Sequence, residues 1–457
     1  MCVKVFLAVV ICKIAYFTGK LIGKGSSLPG KFTLKLFPGV LEQLKLPDTI
    51  VAVTGSNGKT TTTELIVRAL EANGKHVAWN REGSNQTEGV ATLLLRTASL
   101  GGRVKRDAVV IECDERYAKK IFEKVRPSIL VITNLCRDQL TRNGHPEFIL
   151  DCLHAALNVC RSDGGTAAAE TPGGYSGGVK LVLNADDPYV ASLAAGETLW
   201  FGIGSDAAGL RVRTGMYDDG AFCPVCKEPM SYSYRTAGHD GGYKCSSCAH
   251  KRPDPDVEVK KLDLQTGEIT FKDDTCTHLP LPGLAGAYNL CAAIAAAKAA
   301  GIQADEAKRA LDGFALTGGR TVRFTLNERE GFLLISKHEN SYSYNHSLSW
   351  GISRSKPCTV VILVDAISRK YYTSETSWLW DVDFDLLTDD NVQNIVLAGR
   401  YVNELAARFS MTAVDPEKIG YVANPGDLRK YVEKNTTGDI YAVTCFSDKA
   451  KLLKAFR

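Results

Sequence analysis

No segment of this 457-residue chain has the about 20 consecutive apolar residues that a membrane-spanning helix needs. The apolar run near the N-terminus covers only residues 5–12 before Lys13 interrupts it, and no small-residue cleavage pattern follows. A short amphipathic helix is expected there, packed on the body in preference to the membrane surface. A charge excess is also missing: 55 Lys and Arg face 51 Asp and Glu, leaving +4, which does not make a nucleic-acid surface. There is no internal repeat and no block of like charge. With 45% hydrophobic and 23% charged residues, wholesale disorder, a collagen-like chain and a multi-span membrane protein are all disfavoured. The length suits two or three domains.

The 14 cysteines are what is plentiful. Cys2, Cys12, Cys113, Cys136, Cys152, Cys160, Cys276, Cys291, Cys358 and Cys445 are scattered, mostly among apolar neighbours. The remaining four form two C-x-x-C pairs. That distribution reads as reduced core thiols plus one metal site, hence a reducing, cytoplasmic compartment. Cys223 and Cys226, 18 residues, then Cys245 and Cys248 have the spacing of a zinc ribbon, in which two knuckles complete a tetrahedral S₄ site. With no open position, such a Zn²⁺ is structural. His239 and His250 lie nearby and read as exposed loop residues, not ligands.

Residues 1–45 form a basic leader, and the first clear strand is the β-branched run 49–53. It breaks into Thr54-Gly55-Ser56-Asn57-Gly58-Lys59-Thr60-Thr61-Thr62, and residues 64–72 then have helical spacing. Further strands are expected at 108–111, 129–133 and 180–183, alternating with helices such as 146–160, which predicts a mostly parallel sheet covered on both faces. Residues 163–178 are Gly-rich and read as a loop, a cysteine-bearing insertion occupies 220–253, and 290–300 is an Ala-rich helix. A second alternation follows, with strands at 332–335, 359–364 and 394–398. The domains are therefore expected at 46–317 and 318–457.

A Gly-rich turn that opens a helix aims backbone N–H groups at a phosphate, a following Lys neutralises charge and a Thr hydroxyl binds Mg²⁺. Residues 55–60 supply these parts, although the first Gly of GxxxxGK[ST] is replaced by Val53. Thr54, Gly55, Asn57, Gly58, Lys59, Thr60 and Thr61 are the candidate ATP-binding residues. Glu112, at the end of a strand with Asp114 and Glu115 behind it, is the candidate Mg²⁺ carboxylate alongside Thr60; a merely solvated acidic loop is the alternative. The run Asn184-Ala185-Asp186-Asp187-Pro188 also falls at a strand's carboxyl end, where open α/β sheets bind ligands, and one of its Asp residues reads as a helix cap.

The turn at 54–61, Glu112, Thr133-Asn134-Leu135, the 184–188 run and Tyr288-Asn289 resemble the ATP-binding central domain of Mur ligases. More narrowly, Thr133-Asn134-Leu135-Cys136-Arg137-Asp138-Gln139-Leu140 resembles the MurT family, as do residues 26–31 and 377–384. The resemblance implies an α/β fold: a Mur-ligase-type P-loop domain with an inserted Cys₄ zinc ribbon, then a smaller α/β C-terminal domain closing over the nucleotide. It implies ATP-dependent activation of the α-carboxyl of D-glutamate in lipid II as an acyl phosphate, and amidation by ammonia. Asn289 and Arg320 would orient nucleotide or phosphate. The ammonia would come from a GatD-type class I glutamine amidotransferase subunit in a heterodimer, with Glu375 standing where that family's partner-completing Asp is usual. Lipid II implies work at the inner membrane face. Two departures stand out. The family's K-N-P-A-G-F-N reads Glu339-Asn340-Ser341-Tyr342-Ser343-Tyr344-Asn345, losing its Lys, Pro and Gly, and D-G-R-D before Ser377-Trp378 reads Tyr372-Thr373-Ser374-Glu375. Trp378 and Trp380 alternate around Leu379 in a strand-like way and read as a packed hydrophobic face. The competing readings are a free-standing Mur- or folate-type amino-acid ligase and a nucleotide-gated binding protein. Gln139, where ordinary Mur ligases carry His, and the 377–384 run speak against the first.

Overall fold

The computed structural model describes residues 3–21, 25–81, 84–161, 178–207, 217–264, 266–280, 283–314, 321–354, 356–366 and 376–456. The Gly-rich stretch 163–178, the expected boundary near 318, Arg320 and Glu375 fall outside them, save for Gly178.

Among the described residues the strands are β1 (Thr49–Thr54), β2 (Val77–Trp79), β3 (Ala108–Glu112), β4 (Ile129–Ile132), β5 (Lys180–Asn184), β6 (Thr198–Ile203), β7 (Met230–Ala237), β8 (Asp240–Cys245) and β9 (Val257–Leu262). They continue with β10 (Glu268–Phe271), β11 (Cys276–His278), β12 (Thr321–Leu326), β13 (Arg329–Ser336), β14 (Cys358–Leu363), β15 (Val392–Ala398), β16 (Ile419–Val422) and β17 (Asp439–Cys445). A nine-stranded sheet runs β11-β10-β9-β6-β5-β4-β1-β3-β2, parallel from β2 to β9. Its last two strands are antiparallel additions.

The β-branched runs form these strands because both faces of the sheet are covered. In β1, Ile50 and Ala52 face a core built with the Thr87–Thr97 and Pro146–Arg161 helices. Val51 and Val53 face the opposite core, against the Lys59–Ala72 and Leu284–Ala299 helices. The Leu284–Ala299 helix is buried almost all round, which is why it is Ala-rich: small side chains let it lie close to both the sheet and its neighbour helix. The N-terminal helix is longer than the apolar run suggested. It spans Val3–Leu21, carrying straight through Lys13, and buries Val5, Ala8, Val9 and Cys12 against the body.

A second sheet, β12-β13-β17-β14-β15-β16, is parallel except for β12. It has a core on each face. Trp378 and Trp380 do not lie on a strand: Ser377–Asp381 is a 3₁₀ turn, with Trp378 buried against Tyr344 and Trp380 half-exposed. β7 and β8 form a separate two-stranded ribbon inserted between β6 and β9.

Candidate functional site

The turn after β1 sits where the order of the large sheet reverses, with β4 on one side of β1 and β3 on the other, so a crevice opens at the strands' carboxyl ends. Gly55 and Gly58 have φ of 124° and 82°. A Cβ on Gly55 would collide with Thr133 Oγ1, and one on Gly58 with Asn289 Oδ1, so only glycine fits at either place. Gly58 precedes Lys59–Ala72 without any side-chain cap, leaving the first N–H groups of that helix aimed into the crevice.

The turn is held from below by the Thr133-Asn134 segment. Thr133 Oγ1 donates to Asn57 O (2.6 Å), and Asn134 Oδ1 accepts from Asn57 N (2.9 Å). Asn289 reaches it from the far side, its Oδ1 accepting from Thr62 Oγ1 (3.3 Å). The crevice has a cavity volume of about 400 Å³ and is lined by Lys59, Thr60, Thr61, Glu112 and Asn289, among others. Thr54 lies beneath it, fully buried at the end of β1.

Lys59 Nζ hydrogen-bonds Gly55 O and Ser56 O, the latter at 3.4 Å, and pairs with Glu115 Oε1 at 2.8 Å. Burial pushes this ammonium's pKa down, but Glu115 and Asp138 more than offset that and hold it above the usual lysine value. Glu112 is fixed at the end of β3 by Asn80, which clasps its backbone on both sides (2.8 and 2.9 Å), and by Asn85 Nδ2 on its carboxylate (3.3 Å). Asp114 also lines the crevice but is paired with Arg142. Three carboxylates at one strand end line the crevice and differ in their partners: Glu115 pairs with the lysine, Asp114 with an arginine, and Glu112 is held by asparagine side chains.

The sequence did not single out Lys337. It lies just beyond β13 in the second unit and reaches across the crevice, hydrogen-bonding Ser56 O at 3.2 Å and pairing with Asp138. Two ammonium groups from different sheets thus meet on one loop carbonyl. The segment behind Lys337 docks on the 138–139 stretch: Asn340 Nδ2 donates to Asp138 Oδ1 (2.9 Å), and Gln139 N donates to Glu339 O (2.8 Å). Asn340 also caps the Ser341–Ser353 helix through Ser343 N (2.7 Å). The departures at 339–345 therefore leave a cation in the crevice, two residues earlier than Glu339. A lysine three positions before a helix-capping Asn, straight after an apolar strand, was the readable signal.

The four ribbon cysteines converge as their spacing implied, with Cys223 Sγ 3.7 Å from Cys248 Sγ and Cys226 Sγ 3.4 Å from Cys245 Sγ. Sulfurs bound about 2.3 Å from a tetrahedral ion stand about 3.7 Å apart, so the cluster has room for one. The amides of Cys248 and Ser247 donate to Cys245 Sγ and pull its pKa down to about 6, which favours the thiolate a metal needs. His250 is not a ligand; its Nε2 lies 3.0 Å from Pro188 O. His239 is not an exposed loop residue either. The β7–β8 turn folds back on the sheet, burying its imidazole 3.5 Å from Asp187 and 3.8 Å from Asp240. Burial lowers its pKa, but these carboxylates raise it to about 9. Asp187 also caps Pro188–Ala191. Asp186 pairs with Arg252 and accepts from Tyr288 Oη at 2.7 Å, next to Asn289.

Residues 53–217 match the Mur ligase middle domain, and residues 338–448 match the MurT ligase C-terminal domain. Along 97% of this chain and 95% of its own length, the MurT subunit of lipid II isoglutaminyl synthase (glutamine-hydrolyzing) from Streptococcus pneumoniae is 28% identical. The subunit of the same name from Staphylococcus aureus is also 28% identical, over 89% of this chain and 88% of its own. Among solved structures, a pseudomurein peptide ligase type C from Methanothermus fervidus superposes with a TM-score of 0.68 at 20% identity, over 91% of this chain and 80% of that one. MurF from Acinetobacter baumannii gives 0.63 at 14% identity, over 93% and 80%. These two likenesses establish the fold.

Proposed function

We infer, from a chain that is MurT-like along nearly its whole length, that it is an ATP-dependent carbon–nitrogen ligase of peptidoglycan synthesis. The reaction is amidation of the α-carboxyl of D-glutamate in lipid II to give D-isoglutamine. The observation that carries the reading is the convergence of Lys59 and Lys337, from two separate sheets, beside an uncapped helix N-terminus and Glu112. A polyphosphate is the ligand such a crevice suits, and an acidic strand end beside it suits the metal that accompanies one.

A carboxylate is inert to ammonia near neutral pH. Attack of its oxygen on the γ-phosphorus forms the acyl–phosphate bond and releases ADP; ammonia then attacks the acyl carbon and phosphate leaves. The chain's part is to hold the phosphates in line and balance the charge that develops on the phosphoryl oxygens, with Lys59 and Lys337 as fixed cations. Thr60 and Glu112, which line the crevice, would hold Mg²⁺, and the ion would supply further charge neutralisation at those oxygens. Asn289, which accepts from Thr62 Oγ1 and lines the crevice, is assigned to orienting the nucleotide, and Arg320 the role of reaching the transferred phosphate.

The ammonia is assigned to a separate glutaminase subunit, because hydrolysing glutamine needs an activated Cys nucleophile with a His base. The buried Cys12, Cys113, Cys291, Cys358 and Cys445 do not meet that need: burial pushes each thiol above its usual range. The test is product detection with ATP, a lipid II analogue and either ammonium or glutamine. The isolated chain is expected to use ammonium only, the partner subunit to add glutamine use, and Glu375→Ala to remove that addition. An amino-acid adduct, or glutamine hydrolysis by the chain alone, would overturn the assignment.

Lys337→Ala is expected to raise the KM for ATP by about tenfold, the value of one charge-assisted contact. Lys337→Arg should recover part of it. Unchanged nucleotide kinetics in the alanine variant would remove Lys337 from the site.

A further inference from the structure

The N-terminal helix is apolar on two faces, and the body covers only one. Val5, Ala8, Val9 and Cys12 are buried. On the opposite side Val3, Leu7, Ile14, Phe17 and Leu21 fall within one stripe at helical spacing, with Phe17 68% and Leu21 86% exposed. The next helix, Leu28–Leu36, packs beside it and exposes Leu28, Phe32 and Leu36 at i, i+4 and i+8.

The charge carried by these two helices and the chain joining them is of one sign. Residues 1–41 contain Lys4, Lys13, Lys20, Lys24, Lys31 and Lys35, and the first carboxylate in the chain is Glu42. Those six cations exceed the whole chain's net +4, so everything after them sums to −2. Beside the stripe, between the first helix and β2, lies a groove of about 490 Å³ lined by Lys13, Arg81, Arg96 and Arg106 together with Phe17 and Trp79. No carboxylate lines it. Arg96 is held in place by Tyr16 Oη at 2.7 Å.

We propose that the Val3–Leu21 and Leu28–Leu36 helices are a docking surface for an anionic lipid bilayer, with the apolar stripe in the interface and the basic groove on a lipid phosphate. Apolar side chains interleaved with lysines, on helices too polar to cross a membrane, are what an interfacial helix pair requires. A second copy of the chain is a poor occupant, since pairing this face with itself would bring two uncompensated clusters of lysine together. The proposal draws on the lipid II reading only for why a bilayer should be near; its test uses no catalysis, so the two fail separately.

The test is co-sedimentation of the full chain with vesicles of phosphatidylcholine alone and of phosphatidylcholine with about one-third phosphatidylglycerol. Binding is expected to be at least about tenfold stronger to the anionic vesicles and to fall with added salt. The double variant Phe17→Glu with Phe32→Glu should lose that binding at unchanged ATP hydrolysis, and Lys31→Gln with Lys35→Gln should lose mainly the anionic preference. No binding to anionic vesicles, or binding by the Phe17→Glu, Phe32→Glu variant equal to the parent's, would overturn the proposal. So would a parent dimer that this variant splits, which would give the face to self-association. Binding that disappears when the glutaminase subunit is added would give it to that partner instead.

Discussion

Lys59→Ala is expected to lower ATP turnover by at least about a hundredfold, the usual scale for losing one fixed charge or donor at a developing oxyanion. The ammonium sits at the first position of a helix whose N–H groups are uncapped, within reach of two loop carbonyls that a bound phosphate would displace. Its deletion also has a structural cost that a surface lysine would lack. The Lys59 and Glu115 side chains are 10% and 6% exposed, so alanine strands a buried carboxylate close to Glu112 and Asp114. Leaving such a group unpaired costs about 1–3 kcal/mol, a measurable fall in Tm. Lys59→Ala combined with Glu115→Gln separates the two effects: the neutral amide should restore most of the Tm and none of the turnover. Turnover that returned with stability would show that Lys59 only supports the loop. An unchanged rate in the single variant would remove it from the phosphate site altogether.

The glycine turn after β1 was legible because its geometry is local. Gly55 and Gly58 are needed for backbone angles, and a β-branched strand before them with a helical period after them fixes the direction in which Lys59 and Thr60 point. The Ala-rich helix was legible for a similar reason, since a helix buried all round shows itself in composition. The cysteine ribbon needed only spacing.

What the sequence hid depends on how distant segments meet. Lys337 was passed over because its partners, Ser56 and Asp138, are about 280 and 200 residues away, and no local pattern shows which strand end faces which. His239 was misjudged because a Gly-flanked turn normally points to water, whereas this one folds down between Asp187 and Asp240. The Trp378–Trp380 segment failed for a third reason. Over five residues, alternation and a 3₁₀ turn place side chains too similarly to be told apart, and the packing of Trp378 on Tyr344 decided between them. The division of Glu112, Asp114 and Glu115 among different partners was hidden too, since adjacent carboxylates read alike until the arginine and lysine that claim two of them are located.

If the cluster of Cys223, Cys226, Cys245 and Cys248 holds a metal, its removal is expected to weaken the fold more than the chemistry. Purified protein should hold about one zinc per chain, and Cys245→Ser should lose it, because an S₄ site deprived of one thiolate loses both charge and geometry. The ribbon is a two-stranded insertion with no core of its own, and an isolated hairpin is marginally stable at best. Its anchor to the large sheet is polar. Arg252 pairs with Asp186, Thr236 Oγ1 lies 2.6 Å from Tyr288 Oη, and the His239–Asp240 turn is buried against Asp187. Without the metal these buried groups face water or lose their partners, and several degrees of Tm should go with them. The crevice is reached only indirectly, through Tyr288 beside Asn289 and through Tyr342, whose Oη donates to Asp240 at 3.4 Å. ATP turnover of the protein that remains folded should therefore stay within about threefold of the parent, with the change in KM rather than kcat. A fully active, equally stable preparation without metal would refute the zinc assignment. A collapse of kcat at unchanged Tm would show that the ribbon takes part in the reaction and is not simply holding the crevice wall in place.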